Sequence, residues 1–92
     1  DKHGVASSYN NIGFIYDNFS DPTCHSSKEV CFTERKAKSL DYYFKSLKIR
    51  QDINSRLGEA QSLNNIGGVY SSLAAAEKKA GHINEQIQDY IN

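Results

Sequence analysis

Apolar side chains recur every three or four residues along most of the chain, which is the spacing of one face of an α-helix. Two stretches carry the same stripe: Ala6, Tyr9, Ile12, Gly13 and Tyr16 in the first, and Ala60, Leu63, Ile66, Gly67 and Tyr70 in the second. A third stripe lies between them and contains Leu40, Tyr43, Phe44 and Leu47. The pattern therefore predicts an all-α fold.

Turn-forming residues divide these stripes into four predicted helices, at residues 4–18, 27–54, 58–80 and 83–92. The run Ser26-Ser27-Lys28-Glu29 has the spacing of a capping box, so the second helix should begin near Ser27. Residues 54–58 are expected to form the turn into the third helix, and Gly81-His82 the turn into the fourth.

The first two stripes belong to one sequence block that occurs twice, as Gly4–Tyr16 and as Gly58–Tyr70. Both copies read Gly-x-Ala-x-Ser-x-Asn-Asn-Ile-Gly-x-(Ile/Val)-Tyr. A repeat at a spacing of several tens of residues is typical of stacked, solenoid-type folds, which present binding surfaces. Glycine inside a helix costs roughly 1 kcal/mol relative to alanine. Its use at both Gly13 and Gly67 therefore predicts a close contact with a neighbouring helix at each position.

These motifs resemble the tetratricopeptide repeat (TPR) family, in the variety whose repeats are near forty residues long. The first-helix motif of that family matches Tyr9, Ile12, Gly13 and Tyr16, and again Leu63, Ile66, Gly67 and Tyr70. The second-helix motif matches Ser39-Leu40-Asp41-Tyr42-Tyr43-Phe44-Lys45-Ser46-Leu47-Lys48-Ile49. The resemblance implies antiparallel helical hairpins stacked as a TPR-like α-solenoid fragment. It also implies a single domain, 1–92, with repeat 1 at about 4–54 and a truncated repeat 2 at about 58–92.

The first unit departs from the family in an insert at about residues 19–36, which lengthens the hairpin by about two heptads. Seven residues make nearly two helical turns, so helices can lengthen by heptads without rotating their buried faces apart. We therefore expect longer helices, with Ser20–Thr23 as the loop at the hairpin tip. A disordered insertion is the alternative.

Composition narrows the classes of partner. The 92 residues contain 11 Lys and Arg against 11 Asp and Glu, so charge offers no basis for binding nucleic acid or an anionic membrane. No apolar run approaches the roughly 20 residues that span a bilayer, and no signal-peptide pattern opens the chain. Met is absent, which favours a fragment of a longer protein, and a reducing, cytoplasmic setting is the default expectation.

In TPR proteins the first helices of the repeats line a concave groove, where asparagines bind the backbone or the terminal carboxylate of a peptide. The resemblance places the following residues in such a groove: Asn10, Asn11, Phe14, Asp17, Gln61, Asn64, Asn65, Gly68 and Ser71. An amide offers donors and an acceptor without a charge to desolvate. Since these positions lack Lys and Arg, a neutral peptide is favoured over an acidic one. For Asn11 and Asn65 a local packing role is the alternative.

Cys24, His25 and Cys31 fall in the insert and are of the types that bind zinc, but their spacing matches no common four-ligand site. The simpler interpretation is one loop thiol and one helix thiol packed as a small apolar group. A disulfide between them is a further alternative. The sequence shows no phosphate-binding loop and no nucleophile with a base and an orienting group. We therefore assign no catalytic residue, no metal ligand and no cofactor.

The sequence thus favours a non-enzymatic protein-interaction module that binds a peptide or a partner protein, within a larger signalling or scaffolding protein. Two alternatives stay open: a metal- or redox-responsive element centred on the cysteine-containing insert, and a self-association module. Stacked repeats need neighbours. We therefore expect a homo-oligomer in which Ile83, Ile87 and Ile91 pack against a second copy.

Overall fold

Three α-helices make up the fold in this computed structural model, which describes the backbone of residues 1–91 and the side chains of residues 1–79. They are α1 (Lys2–Asn18), α2 (Lys28–Asp52) and α3 (Arg56–Ile91). No strand occurs in the part of the chain that is described. The predicted all-α class and the helical hairpin are confirmed.

α1 is capped at its start by Asp1, and the carbonyls at its end are bound by Arg35 of α2. At its start, the Asp1 carboxylate accepts a hydrogen bond from the backbone N–H of His3 at 3.1 Å. At its end, Arg35 Nη1 donates to the carbonyls of Tyr16, Asp17 and Phe19 at 3.0, 2.9 and 3.2 Å. The last carbonyls of a helix have no partner within it, so Arg35 fixes where α1 stops relative to α2.

α2 begins where the capping pattern predicts. Ser27 is its N-cap, and Ser27 Oγ accepts a hydrogen bond from the backbone N–H of Val30 at 3.3 Å. Half of the insert, from Lys28 to Lys36, is therefore helical, which supports the interpretation as a helix extension. At the other end Asn54 has φ of 56°, the left-handed conformation that commonly terminates helices.

α3 corrects the prediction of a fourth helix. It runs without interruption from Arg56 to Ile91, so the turn expected at Gly81-His82 and the separate helix at 83–92 are wrong. A single interior glycine costs only about 1 kcal/mol, and the flanking Ala74–Lys79 segment is rich in strong helix formers. The packing predicted for Ile83, Ile87 and Ile91 lies outside the residues whose side chains are described.

α2 lies between α1 and α3 and is antiparallel to both. The core contains Tyr43 and Leu47 of α2 against Ile66 and Val69 of α3, with Leu40 and Leu73 packed beside them. Towards α1, α2 presents two buried serines. Ser39 Oγ donates to the carbonyl of Gly13 and Ser46 Oγ to that of Ala6, both at 2.8 Å. Small side chains at these positions let the two backbones approach closely.

The two copies of the repeated glycine differ in their surroundings. A Cβ atom added at Gly13 would lie 2.7 Å from Tyr43 Cδ1 and 3.2 Å from the carbonyl oxygen of Ser39, so the predicted close contact is confirmed there. At Gly67 the prediction is wrong, because no atom of the described residues lies within 4 Å of the same position. α2 covers Gly13. α3 continues past Gly67 without a turn, and no helix covers Gly67 in the part of the chain that is described.

Candidate functional site

An amide pair connects the two copies of the repeated block. Asn65 Nδ2 donates to Asn10 Oδ1 at 2.9 Å, and both side chains are half-buried. The bond joins α1 to α3 directly. Asn65 therefore links the second copy of the block to Asn10 of the first, and its partner is not neighbouring backbone.

Most other predicted groove residues are exposed on α1 or α3. They are Asn11, Phe14, Gln61, Asn64, Gly68 and Ser71. Phe14 is 52% exposed, so its ring is an apolar group open to contact. A Cβ at Gly68 would meet no atom of the described residues within 4 Å, so the backbone of α3 is open to approach there.

Asp17 lies in a different environment from the one predicted. Its carboxylate forms an ion pair with Lys36 Nζ, which also donates to the Asp17 carbonyl at 2.8 Å. Both side chains are shielded, with 7% exposure for Lys36 and 20% for Asp17. Removing one partner of a buried pair leaves an uncompensated charge. Asp17 therefore joins α1 to α2, and its carboxylate is already engaged.

Tyr9 and Tyr16 of α1 and Tyr42 of α2 form an aromatic cluster, which the sequence did not predict. The ring of Tyr42 stacks on that of Tyr16 at 5.8 Å between centroids and lies 6.0 Å from that of Tyr9. Lys45 Nζ lies over the rings of Tyr9 and Tyr42, and Lys38 Nζ over that of Tyr16. A hydrogen bond from Lys45 to Asp41 raises the pKa of Lys45 above its usual value. The aromatic residues stand in the matched family motifs, but the sequence did not show that they stack.

The cysteines of the insert are joined. Cys24 and Cys31 form a disulfide, with Cα atoms 6.0 Å apart, so the prediction of two separate thiols is wrong. The bridge ties the hairpin loop to the first turn of α2. In this state neither sulfur is a thiolate available to a metal, and the described residues contain no group of three or more potential metal ligands.

The hairpin loop is also ordered by Asp21. Its carboxylate accepts hydrogen bonds from the backbone N–H and the hydroxyl of Thr23, at 2.9 and 2.6 Å. These bonds hold the pKa of Asp21 below its usual value. The loop, α1 and Lys38 of α2 line an open surface cavity of about 440 Å³. Its apolar lining is Ile12, Ile15, Tyr16, Phe19 and Pro22, and its polar lining is Ser20, Asp21, Thr23 and Lys38.

Comparison with known proteins gave no match: no protein-family model, no curated protein and no solved structure matches this chain. Within the part of the chain that the structure describes, none of the helices combines the length and apolar composition that a bilayer crossing requires. The site residues above therefore rest on the geometry of this molecule and on the repeated motifs.

Proposed function

We propose that this chain is a non-enzymatic protein-interaction module that binds a neutral peptide along the shared surface of α1 and α3. The observation that carries the proposal is the hydrogen bond between Asn65 and Asn10, at 2.9 Å. It brings the two copies of one block into contact, which supports a surface that α1 and α3 share. A TPR-like α-solenoid segment is the architecture that we propose for this arrangement.

The chemistry of the surface suits a peptide backbone. One N–H of Asn65 and one lone pair of Asn10 are used in the amide pair, which leaves each amide further hydrogen-bonding capacity. Asn11 and Asn64 are exposed beside this pair, and Phe14 offers an apolar contact. Because Asp17 is engaged with Lys36, the groove that we propose is formed without its carboxylate.

Selection of peptides from a displayed random library tests this function. Peptides selected on the unmodified chain should lose binding to Phe14→Asp and to Asn64→Asp. Phe44→Asp provides the matched control, because Phe44 is a similarly exposed aromatic residue on α2. Peptides that bind all three variants equally well, or a failure to select any peptide, would count against this surface.

Self-association is a second proposal, supported by the apolar side of α3. Leu63 and Tyr70 are both about half exposed and flank the open Gly67. Covering apolar area contributes roughly 25 cal/mol per Å², so a second copy gains by packing there. Sedimentation equilibrium tests this: we expect a dimer or larger species that Leu63→Asp and Ile87→Asp shift towards the monomer. A monomer throughout refutes the proposal.

A redox-responsive insert is the third candidate function, and the Cys24–Cys31 disulfide favours it. Reduction would release the hairpin loop from the start of α2. Disulfides persist in oxidising compartments and are rare in the cytoplasm, so the bridge weighs against the cytoplasmic expectation. Counting alkylated thiols by mass spectrometry on protein isolated without reductant decides both points. We expect none, and two alkylated cysteines would refute the bridge.

A further inference from the structure

The outer face of α1 repeats a face that α3 buries. The repeat aligns Ser8, Ile12 and Ile15 of α1 with Ser62, Ile66 and Val69 of α3, and continues the stripe to Val5 and Phe19 at the ends of α1. In α3 the three equivalent residues are buried, with 6% exposure for Ile66 and none for Ser62 or Val69. In α1, Val5, Ile15 and Phe19 are 44, 55 and 60% exposed. The same face therefore occurs on both helices, and it is covered on α3 but open on α1.

What covers this face on α3 is known from the same structure. α2 packs Leu40, Tyr43 and Leu47 against it. Beyond Leu47, Arg50 Nη1 donates to Ser62 Oγ at 2.8 Å and to the carbonyl of Gly58 at 3.1 Å. The covering helix thus supplies three apolar groups and one guanidinium, at fixed intervals along a single stripe.

Both kinds of receptor are present on α1. Ser8 is exposed, and outside the backbone of α1 the three atoms nearest to a Cβ added at Gly4, the equivalent of Gly58, all belong to Asp1. Their hydroxyl and carbonyl match the acceptors that Arg50 uses on α3. At the other end, Ile12, Ile15 and Phe19 line the cavity of about 440 Å³. The equivalent α3 residues lie at the end of the face where Leu40 packs.

We propose that the outer face of α1 docks an amphipathic helix of a partner protein, antiparallel to α1. This helix carries the pattern Leu-x-x-Tyr-x-x-x-Leu-x-x-Arg, as α2 does from Leu40 to Arg50. Its first leucine enters the cavity, and its arginine donates to Ser8 Oγ and the Gly4 carbonyl. A second copy of this chain is not the occupant, because Tyr43, Leu47 and Arg50 of its own α2 are already buried against its own α3. The site is separate from the peptide surface that contains Phe14.

A fluorescent peptide with the sequence of residues 38–53 tests the proposal by anisotropy against the intact chain. We expect saturable binding that Ile15→Asp weakens at least tenfold. Phe14→Asp should leave it unchanged, which separates this surface from the proposed peptide groove. An Arg50→Ala peptide should bind about tenfold more weakly, since a hydrogen bond to a charged donor contributes about 1.5–3 kcal/mol. Ile15 is exposed, so its variant should keep the circular dichroism spectrum of the parent.

The same peptide also tests the nearest competitor. α2 packs against Gly13 on its other side, so a copy of α2 has a second place to bind, the open side of α3 around Leu63 and Gly67. Binding that Leu63→Asp abolishes and Ile15→Asp leaves intact would overturn the proposal. So would an absence of binding, or a self-associated species that Ile15→Asp dissociates while the peptide does not bind.

Discussion

The two repeated glycines should respond in opposite ways to the same substitution. Gly13→Ala and Gly67→Ala change the same residue in the same local sequence, Asn-Asn-Ile-Gly. Both positions lie inside a helix, where alanine is favoured over glycine by about 0.8–1.0 kcal/mol. This helix term is common to the two variants, so any difference between them comes from the surroundings.

The surroundings give a magnitude. At Gly67 the new methyl group meets no described atom within 4 Å, so the helix term remains and the variant should gain about 1 kcal/mol. At Gly13 the methyl group would lie 2.7 and 2.9 Å from two carbons of the Tyr43 ring. Tyr43 is 1% exposed and enclosed by the core, so it cannot move aside freely. Overpacking of this kind costs roughly 1–3 kcal/mol. Gly13→Ala should therefore destabilise by up to about 2 kcal/mol.

Urea unfolding followed by circular dichroism measures both values, provided that the slopes agree among the variants. In a thermal melt the two should differ by about 4–8 °C for each kcal/mol that separates them. Equal shifts of the midpoint in the same direction would refute the reasoning. If both variants lost stability and Gly67→Ala did so only at high protein concentration, a second copy would be covering α3.

Three further predictions follow from single features of the structure. Asn54→Ala should destabilise by roughly 1 kcal/mol in urea unfolding, because φ is positive there, while Asn54→Gly should not. Replacing Cys24 and Cys31 by serine should cost about 2 kcal/mol by the loop-closure model, and reductant should then have no further effect on the melt. Burial, with the Asp17 carboxylate nearby, raises the pKa of Tyr43 above 10.0. The unfolded chain therefore loses this proton first, so stability should fall as the pH rises past about 10, and Tyr43→Phe should reduce that fall.

Local sequence was sufficient for the helices and for their starts. The stripe of Leu40, Tyr43, Phe44 and Leu47 predicted the buried side of α2 except at Phe44, which is 44% exposed. The Ser27 cap predicted where that helix begins. These features depend on residues within one or two turns of each other, where spacing alone fixes which side chains share a face. The prediction of a turn at Gly81 was wrong, because the preference of glycine for turns was outweighed by the strong helix formers that precede it.

Contacts between distant residues could not be obtained in this way. Asp17 stands beside Tyr16 in the groove motif, but its partner Lys36 comes from the other arm of the hairpin. Arg35 of α2 likewise donates to the last carbonyls of α1, and no residue near Asn18 in the sequence predicts this contact. The spacing within one helix predicts which residues share a face of that helix. It does not predict that Lys36 of α2 pairs with Asp17 of α1.

The repeated block explains why identical residues have different roles. Each helix that carries the block has two packing sides: the first contains Gly13 or Gly67, and the second contains Ile15 or Val69. α1 has the first side covered, by Tyr43 over Gly13, and the second open at Ile15. α3 has the second side covered, at Val69, and the first open at Gly67. Each copy therefore has covered the side that the other leaves open. The stability of Gly67→Ala tests the open side of α3, and the docking of a helix tests the open side of α1.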